Sequence, residues 1–101
     1  MRTITIRYDY SGPEADWQAA TVAFIEAIDK DPEIPGTFTY QVAVADNGTS
    51  RVHWGRWDSA ETLAHVQAQD YFKTFAARIG EFAGGAQIAF QAEVANLTRG
   101  W

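Results

Sequence analysis

The apolar residues of this chain fall by turns on a period of two and a period of about 3.6, and that succession constrains the fold more than any motif. The opening "MRTITIRYDY" alternates, with Ile4, Ile6, Tyr8 and Tyr10 on one face and Thr3, Thr5, Arg7 and Asp9 on the other, as a half-buried strand does. "SGPEADWQAATVAFIEAIDKD" then puts Trp17, Ala20, Phe24, Ile25 and Ile28 on one helical stripe. Ser11 and Glu14 have the spacing of a capping box, and Pro13 suits a first turn. "DPEIPG" ends the helix, because each proline disfavours helical backbone in the residue before it.

"TFTYQVAVADNG" returns to alternation, with Phe38, Tyr40, Val42 and Val44 together, and Asn47-Gly48 predicts a tight hairpin turn. In the strand that follows, "TSRVHWGRW", Val52, Trp54 and Arg56 share one face and His53, Gly55 and Trp57 the other. Taking the apolar pair as inward makes Trp54 look toward the helices, while His53 and Trp57 look away. "DSAETLAHVQAQDYFKTFAARIGEFAGG" is helical but its apolar stripe rotates, which predicts a break near Gln69-Asp70 with Asp70 as a cap. Gly84-Gly85 stops it, and "AQIAFQAEVANL" is a last strand with Ile88, Phe90, Ala92 and Val94 inward.

The order β-α-β-β-α-β is that of an α+β, ferredoxin-like fold: a four-stranded antiparallel sheet with helices on one face. Residues 1–101 are expected to form one such domain, being too few for two cores. The helices cover one side of the sheet only. The other, expected to carry Thr3, Thr5, Arg7, Thr39, Gln41, Gln87 and Gln91, is mixed in character and suits a second copy of the chain. The C-terminal Trp101 is expected to dock on that neighbour.

Composition narrows the function. The net charge of −5, with the eight Lys and Arg scattered, argues against nucleic acid. No apolar run is long enough to span a bilayer, and Met1 leads into a charged alternating segment, so a cytoplasmic protein is expected. Without cysteine there is no thiolate site, and His53 with His65 lacks a third ligand at a useful spacing, so no metal is expected.

A strand ending in Trp57, followed by "DSAETLAHV", the pair Tyr71-Phe72 and then Phe75, resembles the antibiotic biosynthesis monooxygenase domain. The resemblance in element order covers nearly the whole chain, and its specific part runs from about Trp57 to Phe75. It implies a dimeric α-β barrel, two sheets face to face with helices outside, and a ligand cavity between sheet and helices in each subunit. Members include cofactor-free oxygenases that turn aromatic polyketide phenols into quinones, quinol monooxygenases and haem-degrading enzymes. The haem-degrading members share an Asn on the first strand and a Trp and a His on the second helical segment. Here the first strand has no Asn, and the other two positions fall at Val66 and Ala76, so that branch is set aside.

His65, at the place of a histidine common in this stretch of the family, is the candidate base. A histidine near its ordinary pKa can take a phenol's proton, and the phenolate can then pass an electron to oxygen with no cofactor. The alternatives are that His65 caps a helix end or sits at the dimer edge. Tyr8, Tyr40, Trp54, Phe90, Tyr71, Phe72 and Phe75 are expected to line a flat aromatic slot, with Arg56 at its end for an anionic group. The same aromatics equally fill an ordinary core. The expected function is a cofactor-independent monooxygenase of a small planar phenol, quinol or polyketide-like substrate, acting as a homodimer through the open sheet face. The alternative is a non-catalytic ligand-binding or structural dimer of the same fold; an isomerase or lyase is a weaker third.

Overall fold

The computed structural model describes residues 1–100. Trp101, and with it the expected dimer contact of that side chain, lies outside the described residues. The elements run β1 (Arg2–Asp9), α1 (Glu14–Asp29), β2 (Phe38–Val44), β3 (Ser50–Trp57), α2 (Ala60–Ala68), α3 (Asp70–Ala83) and β4 (Ile88–Glu93). The strands form one antiparallel sheet in the order β2-β3-β1-β4. This is the α+β, ferredoxin-like arrangement that the periodicity predicts, with the second helical segment in two pieces.

The break lies at Gln69, whose extended backbone (φ −80°, ψ 147°) closes α2 and opens α3. Asp70 is the first residue of α3 rather than its cap, and the Gln69 side chain instead donates to the His65 carbonyl. The α1 capping box does not form either: Pro13 holds the cap position with no side-chain hydrogen bond. Glu14 turns instead to Arg51 of β3, which donates from both terminal nitrogens at 2.8 Å. That guanidinium is 2% exposed and lies over the Trp17 ring, so this bidentate pair ties the start of α1 to the sheet. Ser59 caps α2 by accepting from the Thr62 amide, and Gly84, in the left-handed region at φ 61°, ends α3.

The core lies between the sheet and α1 and α3. Trp17, Phe24 and Ile28 of α1 meet Tyr8 of β1 and Phe75 and Ile79 of α3. Phe24 and Phe75 stack face to face, 4.0 Å apart at the centroids and 1° from parallel. β4 is an edge strand, and every one of its residues is exposed in the single chain. Among the described residues, no helix is long and apolar enough to cross a membrane.

Candidate functional site

The hairpin register decides which side chains meet. β2 pairs with β3 so that Val42 faces His53 and Tyr40 faces Gly55, and β1 pairs so that Ile6 faces His53 and Ile4 faces Gly55. Directly opposed residues share a face of the sheet. His53, Gly55 and Trp57 therefore look toward the helices, and Val52, Trp54 and Arg56 look away. This corrects the expected orientation of β3, in which Trp54 was inward. Trp54 lies instead on the open face, under the Arg56 guanidinium at 5.2 Å. β4 is inverted in the same way. Phe90 pairs with Thr5 and Ile88 with Arg7, so both lie on the open face, each 60% exposed, while Ala89 and Gln91 turn inward.

His53 is fully buried and carries a hydroxyl on each ring nitrogen. Tyr8 Oη is 2.7 Å from Nε2 and Tyr40 Oη is 2.8 Å from Nδ1. Trp17 Nε1 donates to Tyr8 Oη at 2.8 Å, and Phe75 lies along the imidazole at 5.7 Å between centroids. Burial pushes the His53 pKa down to about 4, so the ring is neutral at pH 7. Burial also raises both tyrosines above their usual value, and both stay protonated. Gly55 makes room for this cluster: a Cβ there would stand 2.9 Å from the Tyr40 ring.

Beside the cluster, between the sheet and α2 and α3, is a cavity of about 190 Å³. An engineered apolar cavity of about 150 Å³ holds a benzene molecule, so one aromatic ring fits here. Tyr40, Phe38, Trp57, Phe72 and Phe75 supply its aromatic wall, and Ile4, Ile6, Leu63 and Ile79 its aliphatic one. Its polar groups include Gln67, Gln87 and Gln91. None of the lining residues is Asp, Glu, His, Lys or Arg. A larger hollow, about 460 Å³, lies between α1 and α3 and touches no strand.

Of the residues expected to line a slot, Tyr40, Phe72 and Phe75 do so. Tyr8 stands behind the wall in the His53 cluster, and Tyr71 lines the α1–α3 groove. Trp54, Phe90 and Arg56 are on the wrong face for it, Arg56 donating to the Gly100 carbonyl. His65 is not brought to the cavity. Its Nε2 lies 2.9 Å from Asp31 Oδ2, which also accepts from the Tyr71 hydroxyl. His65, the Glu33 amide and Tyr71 hold the Asp31 carboxyl below its usual pKa. Asp31, His65 and Tyr71 together clamp the start of the α1–β2 connection to α2 and α3. Sequence reasoning missed His53, Trp57 and the three glutamines. The signal for the first two was the even-numbered turn: the structure closes the hairpin with four residues, 46–49, between Ala45 and Ser50 rather than with the two expected, and either length pairs Val44 with Arg51 and brings even positions of β2 to odd positions of β3. Among the described residues no group of three or more His, Cys, Asp and Glu is placed to hold a metal.

No protein-family model and no curated protein matches the sequence. Solved structures do match its fold. Rv0793 from Mycobacterium tuberculosis superposes with a TM-score of 0.79 at 14% identity, over 97% of this chain and 98% of that one. SnoaB, a cofactor-independent oxygenase from Streptomyces nogalater, gives 0.74 at 14% identity, over 95% and 94%. An antibiotic biosynthesis monooxygenase gives 0.66 at 16% identity, over 95% and 100%. The fold is that of the antibiotic biosynthesis monooxygenases. Within this monooxygenase fold, the cavity of the present chain lies where the resemblance implied one, between sheet and helices, and its wall is assembled from all four strands together with all three helices.

Proposed function

We propose that this chain is a cofactor-independent monooxygenase of a small planar phenol or quinol, working as a homodimer joined through the open sheet faces. The observation that carries the reading is the cavity: aromatic and aliphatic walls, a few hydrogen-bonding groups and no ionised side chain. Such a wall suits a planar ring whose oxygen substituents are held by hydrogen bonds rather than by ion pairs. At about 190 Å³ it suits one ring, or two with the second emerging past the exposed Gln87 and Gln91 of the β4 edge. The substrate is its own reductant: a ring C–H and a phenolic O–H give up one hydrogen each, one atom of O₂ stays on that ring carbon, and the other leaves as water with the two hydrogens. Tyr40, Phe72 and Phe75 are the proposed binding residues, joined by Trp57 and the three glutamines.

The lack of an ionised group in the wall favours a second reading, a ligand-binding dimer without turnover. Oxygen uptake separates them. With a panel of one-ring hydroquinones, naphthohydroquinones and anthrones, the oxygenase reading expects oxygen consumption and quinone formation above the uncatalysed rate, larger for one- and two-ring quinols than for anthrones. No acceleration with any of them, alongside saturable binding of a quinol, would establish the second reading instead.

A further inference from the structure

The hydrogen bonds around His53 can run in either of two directions, and the direction has a consequence at the cavity. A neutral imidazole has one N–H and one bare nitrogen, so one of its two tyrosines donates and the other accepts. Two arrangements satisfy the distances. In the first, Tyr8 donates to a bare Nε2, Nδ1–H donates to Tyr40, and the hydrogen left over belongs to the Tyr40 hydroxyl. In the second, Nε2–H donates to Tyr8, Tyr40 donates to Nδ1, and the leftover hydrogen belongs to Tyr8.

The second is the costlier. Tyr8 is 6% exposed and already accepts from Trp17, and no other acceptor for its hydrogen lies among the described residues. A buried O–H with no acceptor has lost its hydrogen bond to water and gained nothing in return. Tyr40 is a half-buried lining residue of the cavity, where solvent or a ligand supplies the acceptor. Resting on the cavity as the ligand site, we propose that the Tyr40 hydroxyl donates the hydrogen bond that anchors a ring-bound oxygen of the ligand. The Trp17–Tyr8–His53 chain turns that hydrogen toward it. The ligand oxygen is then an acceptor, a phenolate or a quinone carbonyl, and Tyr40 is a specificity determinant. Tyr8 and His53 are positioning residues, since they act on the ligand through Tyr40.

Two measurements test this. The first is the tautomer of His53 in the ligand-free protein, read from nitrogen-proton correlations of the ¹⁵N-labelled imidazole. A proton on Nδ1 with a bare Nε2 is expected, and a proton on Nε2 overturns the proposal. The second compares 4-nitrophenol, followed by its phenolate absorbance, with toluene, which has the ring and no oxygen. Tyr40→Phe should weaken 4-nitrophenol about tenfold, the effect of one hydrogen bond to a charged oxygen, and leave toluene unchanged. Tyr8→Phe, remote from the wall, should also weaken 4-nitrophenol several-fold and spare toluene, because nothing then holds Nε2 as the acceptor. Toluene binding also reports that each variant is folded. If toluene binds and 4-nitrophenol is indifferent to Tyr40→Phe, the proposal fails while the cavity reading stands. Loss of both probes equally in Tyr8→Phe removes the positioning role. If neither probe binds wild-type protein, both readings fall.

Discussion

His53 is the residue whose surroundings are costliest to change. Among the described residues the polar groups on its ring are the two tyrosine hydroxyls, with Phe75 along its plane, and none of these compensates a positive charge. Its pKa in the folded chain is about 4, against 6.5 for an unperturbed histidine. Between those values the unfolded chain binds a proton that the folded one does not, so stability falls as pH falls from about 6.5 to about 4 and the loss saturates below. The size of that loss is on the order of 3 kcal/mol. Urea unfolding at a series of pH values should show it in the wild type, and His53→Gln should flatten the dependence in this window. The carboxylates of Asp31 and Asp58 have lowered pKa values, so their contributions are lost below the usual carboxylate range, under this window. A wild-type midpoint that stays level from pH 7 to 4.5 would mean that His53 is not desolvated as described. Alternation alone could not place this residue. β3 is apolar on both faces, with Val52 and Trp54 on one and Trp57 on the other, so hydrophobicity does not say which face is inward.

At the scale of elements the chain is far more legible, because period and turn chemistry are local. The strands, α1 and the break in the second helical segment follow from spacing, and the left-handed Gly84 from its place after α3. What does not follow locally is competition for a side chain. Glu14 has the spacing to close a capping box on Ser11, but the buried Arg51 guanidinium offers it two charge-assisted hydrogen bonds and wins. The β2–β3 hairpin shows how a local choice reaches the site. Asn47 Oδ1 accepts from the Thr49 and Ser50 amides, and Gly48 takes φ 79°. That turn sets the register that turns His53 inward. Gly48 has open space around it, so Gly48→Ala carries only the conformational cost of a side chain in the left-handed region, about 1–2 kcal/mol. The expected result is that drop in unfolding free energy with the denaturant slope and the 4-nitrophenol affinity unchanged. A lost affinity at full stability would mean that the turn controls the site by more than register.

For the whole molecule, the inverted faces of β3 and β4 sharpen the case for a dimer. The open side of the sheet carries Val52, Trp54, Ile88 and Phe90 beside the expected Thr3, Thr5, Arg7, Thr39 and Gln41, whereas Gln87 and Gln91 line the cavity, Gln91 turned inward by its register against Ile4. Large apolar side chains grouped on a sheet face and left bare on a single chain mark an interface. A stable homodimer needs about 800 Å² from each partner. Light scattering coupled to size exclusion should therefore give twice the mass of the chain at micromolar concentration. Phe90→Glu, at the centre of β4, puts a charge where the partner would desolvate it, and should shift the mass to that of one chain. Val22→Glu is the control: Val22 is 45% exposed but sits on α1, on the helix side of the sheet, and its variant should remain dimeric. A wild-type chain that runs as a monomer, or a Val22→Glu variant that dissociates as readily as Phe90→Glu, would move the interface off the open face. Because β4 borders the cavity and presents Phe90 on its other side, the monomeric variant should also bind 4-nitrophenol more weakly, linking assembly to the site across one strand.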